Sequence, residues 1–170
     1  DYNTRVAYAN VGADVSVALN SPVNVSATVN LMNTIRSNVS SVASTTPEYS
    51  LYGTSSYDGL QLKAVNPNDW LNTAYYEDGW FRGGDVKAAF QDLASNNYTI
   101  VLDFDVAKRN SLSVGDKIRV SFDSEGWKLG GEQSAKDLTI VGFFGVERPQ
   151  DTYVVFGQAY ISTSYWSWSY

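Results

Sequence analysis

The chain contains no cysteine and no histidine. Without thiols there is no disulfide framework, no thiolate metal site and no cysteine nucleophile. Without imidazole the chain lacks the commonest metal ligand and the side chain best suited to moving protons near neutral pH, so most hydrolase mechanisms lose a member. Charge is also scarce. Asp and Glu outnumber Lys and Arg by 18 to 12 among 170 residues, a net charge of −6. No basic run is available to neutralise phosphates or to hold anionic lipid, which argues against nucleic acid as a partner. No apolar run approaches the roughly 20 residues that span a bilayer, and the first residues do not read as a signal peptide.

What is present is a 44% hydrophobic chain rich in Ser, Thr, Asn and Tyr, the composition of a folded domain with a polar, weakly charged surface. Its length is that of a single domain, expected to run over 1–170. Three tripeptides fit the N-glycosylation acceptor pattern, at Asn24, Asn38 and Asn97. In a chain this rich in Asn and Ser they shift the balance only gently toward the cell exterior.

Odd-numbered apolar positions from Ala13 to Leu19 predict an opening strand. Ser21-Pro22 then caps a long helix, whose Val25, Val29, Met32, Ile35, Val39 and Val42 form a stripe expected to face the core. Thr45-Thr46-Pro47 stops it. Tyr49 to Tyr52 and Leu60 to Val65 read as a hairpin turning at Tyr57-Asp58-Gly59. Asn66 to Gly84 reads as a structured aromatic loop with short helical turns. Asp85 caps a second long helix through Val86, Ala89, Phe90, Leu93 and Ala94, ended by Asn96-Asn97.

An almost wholly apolar strand from Thr99 to Asp103 is followed by a short helix from Asp105 to Asn110. A turn from Leu112 to Asp116 leads to the alternating strand Lys117 to Phe122. Gly115 and Asp116 are read as turn residues, glycine for its access to positive φ and aspartate for its bonds to nearby amides. Glu125 to Asp137 reads as a hairpin loop, Leu138 to Phe144 and Thr152 to Ile161 as the last strands. The fold class expected is α+β: a mixed or mainly antiparallel sheet with two longer helices and one short helix packed on it.

The run Ile100-Val101-Leu102-Asp103, Val106-Ala107, Leu112-Ser113-Val114-Gly115-Asp116-Lys117-Ile118 and Leu138 to Gly145 resembles the periplasmic core domain of FtsX/MacB-type ABC-transporter permeases. The upstream order fits the same family, including Val65-Asn66-Pro67 and Trp80-Phe81-Arg82-Gly83-Gly84-Asp85, so the resemblance covers 13–145. It implies a non-catalytic, cofactor-free domain on the extracytoplasmic side of the cell membrane, lying between two membrane spans absent from this chain. It also implies a cytoplasmic ATP-binding subunit and a possible second permease copy as partners. The role it implies is to couple cytoplasmic ATP hydrolysis to substrate export or to mechanical signalling outside the membrane, and the little room left for the extra subdomain of the MacB type argues against substrate handling of that kind.

The aromatic tail places Trp166, Trp168 and Tyr170 in alternation. It reads either as a membrane-interface or partner contact ahead of a span, or as an edge strand packing its rings on the core. Asp103 and Asp105 offer oxygens to a cation, but without the loop spacing of a calcium site, and no metal is expected. No carboxylate pair stands out among the scattered acids as glycosidase machinery. The alternative function is a carbohydrate- or wall-binding module that stacks sugar on Trp70, Trp80 and Trp127, which requires those rings to form an exposed row.

Overall fold

In the computed structural model, residues 13, 15–18, 25–122, 135–145 and 157–166 are described. Helix α1 (Val25–Asn38) precedes a hairpin of β1 (Glu48–Ser55) and β2 (Gly59–Val65). Helix α2 (Pro67–Thr73), a 3-10 turn (Asp78–Trp80) and the short strand β3 (Phe81–Arg82) lead to helix α3 (Val86–Ser95). Then come β4 (Thr99–Asp103), helix α4 (Phe104–Arg109), β5 (Lys117–Phe122), β6 (Lys136–Phe144), β7 (Gly157–Ser162) and a final helical turn α5 (Thr163–Trp166). The fold is α+β with a mixed sheet: β2 with β7 and β4 with β6 are parallel, and the remaining pairs are antiparallel.

The sheet closes on itself. Its order is β3-β6-β4-β7-β2-β1-β5, and β5 pairs again with β6, which makes a barrel of six strands with β3 added on the edge of β6. Closure follows from where each strand puts its apolar side chains. Leu60, Leu62 and Ala64 of β2, Ile100 and Leu102 of β4, Ile118 and Val120 of β5, and Ala159 and Ile161 of β7 share one interior cluster. The intervening Val65, Val101 and Tyr160 join a second cluster outside the barrel, beneath α2 and α3. Strand β4 is buried at all five positions because both of its faces are covered, which is why it reads as an unbroken apolar run. β1 and β5, with one solvated face, alternate instead.

Local signals explain the helices. The Asp85 side chain accepts from Lys87 N at the start of α3, and Val86, Ala89, Phe90 and Leu93 form its buried stripe. Asn66 does the same for α2, accepting from Asn68 N with Pro67 in the first turn. Helix α4 ends with Leu112 N donating to Ala107 O at 2.9 Å and Ser111 N to Lys108 O at 3.2 Å, the paired bonds of a Schellman stop. Ser111 holds the position usually given to glycine, at φ 54°. Ser111→Gly is therefore expected to stabilise the domain by about 1 kcal/mol, the side-chain strain removed exceeding the glycine entropy gained by the unfolded chain. A rise in the urea midpoint with an unchanged slope is the readout.

Three expectations are corrected. Residues 15–18 form no strand, and Val15 and Val17 are 76% and 60% exposed. The alternating pattern of that segment finds no partner among the described strands. Helix α1 is not a core helix: Val29 and Val39 are exposed, Met32, Ile35 and Val42 half-buried, and α1 makes no extensive contact with another described element. Arg36 Nη2 ties it to the chain that follows by donating to Thr45 O at 2.7 Å. The helices in contact with the sheet are instead α3, α4 and α5, with α2 packed on α3 and reaching the sheet through Trp70, and α2 is one of the short helical turns expected between Asn66 and Gly84. The loop expected over Glu125 to Asp137 lies almost wholly outside the described residues.

Candidate functional site

The chain enters the barrel at Glu48 and leaves it at Ser162. These residues lie at the same end, because Glu48 pairs with Val65 and Val65 with Ser162. Two strand spacings separate them, about 10 Å. Side chains fasten this end. Glu48 accepts a hydrogen bond from Trp70 Nε1 at 3.3 Å and forms an ion pair with Lys63 Nζ at 3.0 Å. Lys63 in turn lies 5.7 Å from the centre of the Tyr160 ring. One carboxylate thus joins β1 to β2 and α2, and the lysine carries the link to β7.

Trp70 is the hub of the aromatic layer behind this clamp. Its ring lies near-parallel to Phe90 at 5.0 Å and to Tyr76 at 5.9 Å, and edge-on to Tyr160 at 5.0 Å and Phe81 at 6.3 Å. Burial, and then the nearby Glu48 carboxylate, push the Tyr160 phenol well above its ordinary value of 10.0. The folded state therefore holds that proton more tightly than the unfolded chain does. The stability this group contributes is complete below about pH 10 and is lost as pH rises beyond it. Tyr160→Phe is expected to lessen the fall in urea midpoint between about pH 9 and pH 11, relative to the unsubstituted chain at the same pH values.

Beside the clamp, α2 and α3 border an open recess of about 300 Å³. Asn68 and Asn72 line it from α2, Lys87 and Gln91 from α3, over apolar Leu71 and Phe90. The lining holds amides, one ammonium and the Tyr76 hydroxyl, and no carboxylate. Such a surface presents hydrogen-bond donors and acceptors above an apolar floor.

At the β4 end, Asp103 is a structural anchor. Its Oδ1 accepts from Asp105 N at 2.9 Å and Val106 N at 3.2 Å, and its Oδ2 from Gln158 N at 3.1 Å. Asp105, the other acid considered for a cation, pairs with Arg109 Nε at 3.1 Å, and Arg109 Nη2 lies 3.8 Å from Asp58 in the β1–β2 turn. Among the described residues no group of three acids is placed to hold a metal ion.

No protein-family model and no curated protein matches this chain. Gly115, at φ 96°, and Asp116 form the turn after α4: Asp116 Oδ2 accepts from Ser113 N at 2.7 Å. That turn is also sewn to β6, with Gly115 N donating to Ile140 O and Ile140 N to Asp116 O, both at 2.8 Å. The sequence signalled the turn but not this second attachment, which depends on a strand more than twenty residues away.

The tryptophan row does not form. Trp70 is 4% exposed at the centre of the aromatic layer, Trp80 is half-buried against Phe144 and Tyr75, and Trp127 lies outside the described residues. Sugar stacking on this trio loses its first member. β7 ends at Ser162 and the chain turns into α5, so the edge-strand reading of the tail fails over 163–166. The Trp166 side chain, Trp168 and Tyr170 lie outside the described residues, as does Asn24. Asn38 is exposed at the end of α1, and Asn97 is half-buried between α3 and β4. Among the described residues no helix is long and apolar enough to cross a membrane.

Proposed function

We propose that this chain is a non-catalytic extracytoplasmic domain of an FtsX/MacB-type ABC-transporter permease, and that it passes motion of two membrane spans to the outside of the cell. The observation that carries the reading is the shared end of the barrel at which the chain enters and leaves. A domain inserted between neighbouring spans must receive and return the chain on its membrane side, and Glu48 and Ser162 meet that requirement. The order of the central elements, from the Asp85-capped helix through β4, α4 and the Gly115-Asp116 turn to β6, supports the same family.

Transmission suits this fold. The barrel closes through β5 and β6, and the Glu48–Lys63–Tyr160 chain binds the first strand to the last. A tilt of the two spans would therefore rotate the barrel as one body rather than shear it open. The aromatic layer and the α2–α3 recess travel with it. In this scheme the ATP-binding subunit acts from the cytoplasm through the spans, and a second permease copy is a further candidate partner.

Detergent extraction of the full-length gene product from its own cells tests the proposal. The expected result is recovery from the membrane fraction together with an ATP-binding subunit. Recovery from the soluble fraction without one would overturn it.

A further inference from the structure

We propose that Asn38 is the residue at which the folded chain accepts an N-linked glycan, and that Asn97 is closed to the same modification. The inference rests on the extracytoplasmic reading for its biological setting. Its physical basis is separate: the structure treats two equivalent tripeptides in opposite ways.

Transfer to a folded chain requires the acceptor amide and the hydroxyl two residues later on a segment that can open away from the rest of the fold. Asn38, Val39 and Ser40 are all exposed. They sit where α1 ends, and α1 makes no extensive contact with any other described element. Among the described residues the Asn38 amide is engaged within its own last turn, donating to Thr34 O at 2.8 Å and Ser37 Oγ at 3.2 Å. Freeing it means fraying one turn of a helix end, among the least costly openings available to a protein.

In Asn97-Tyr98-Thr99 the acceptor is half-buried and the two residues after it are fixed. Tyr98 N donates to Asn96 Oδ1 at 2.9 Å, Tyr98 O accepts from Thr139 N at 2.9 Å, and the Thr99 hydroxyl donates to Asn96 O at 2.6 Å. Thr99 is 3% exposed and begins β4, the strand buried on both faces. Presenting its hydroxyl requires lifting β4 away from β6, which approaches the cost of unfolding the barrel.

The step is a glycosyl transfer from a lipid-pyrophosphate-linked oligosaccharide. A bond forms between Asn38 Nδ2 and the anomeric carbon, and the bond from that carbon to the phosphate oxygen breaks. The lipid pyrophosphate departs with the electron pair, and the amide proton passes to a base of the transferase.

The test uses the purified, folded chain with that donor and an oligosaccharyltransferase of Asn-x-Ser/Thr specificity, read by glycopeptide mass spectrometry. Modification at Asn38 should exceed that at Asn97 by about 10-fold or more, the penalty of opening a buried strand end. Asn38→Gln should abolish the Asn38 product without raising the yield at Asn97. Modification of Asn97 at an equal rate, or a bare Asn38, would overturn the inference. The reaction does not depend on where the cell places the chain. A native protein bare at Asn38, despite competence in the purified reaction, would instead count against the extracytoplasmic placement.

Discussion

Replacing Trp70 with alanine is expected to destabilise the domain by about 3–5 kcal/mol, the range for deleting a large aromatic from a packed interior. The indole is 4% exposed and touches four other rings. Those rings come from α3, β3, β7 and the segment after α2, so the space left by its removal cannot be filled by one neighbour moving. The substitution also takes the indole donor from Glu48, which keeps its ion pair with Lys63. Trp70→Phe retains part of the ring packing and removes only the donor and some volume, and should fall between the two. Urea unfolding measures both. A loss below about 1 kcal/mol for Trp70→Ala would show that the aromatic layer is not what fastens α2 and α3 to the barrel.

Asp103→Ala is expected to cost about 3 kcal/mol or more. The carboxylate is 1% exposed and serves three backbone amides on two elements. Each buried amide left without an acceptor costs roughly 1–3 kcal/mol, and water reaches this site poorly. The space is tight: a Cβ on Gly157 would lie 2.5 Å from Val106 Cγ2 and 3.2 Å from Asp103 Cβ. Asp103→Asn keeps one acceptor oxygen but sets an NH2 group against an amide, so its loss should be intermediate. If Asn and Ala were equally harmful, the bonds to both α4 and Gln158 would not be the source of the stability.

Much of the middle of the chain was legible because its signals are local. Asp85 with the apolar spacing of Val86, Ala89, Phe90 and Leu93 specifies α3 without help from the rest of the fold. Gly115 and Asp116 likewise specify their turn, and Tyr57-Asp58-Gly59 the hairpin. Barrel closure was not legible, because it depends on β5 pairing with both β1 and β6, which neither periodicity nor turn chemistry encodes. Two errors have related causes. The alternation from Ala13 to Leu19 has the period of a strand, yet residues 15–18 join no ladder. The α1 stripe has the spacing of a core helix, yet α2 and α3 already cover the outer side of β4 and β7.

Asp103 shows a different limit. Its position at the end of an apolar strand identifies a boundary, and its spacing from Asp105 suggested cation oxygens. The bond to Gln158, fifty-five residues away, makes it an anchor instead. Sugar stacking on Trp70 is an expectation from residue type alone. Residue type does not distinguish an exposed platform from the centre of a core, and only the arrangement of α2 against α3 does.

The proposed placement puts the barrel outside the cell, with Glu48 and Ser162 toward the membrane. Because this domain has no cysteine, Ser50→Cys on the exposed face of β1 gives its peptides a single thiol. The measurement is labelling of that residue in the full-length protein, in intact cells, by a membrane-impermeant maleimide, read on the digested peptide. Labelling in intact cells is expected to equal that after lysis. Labelling that appears only once the membrane has been opened would contradict it.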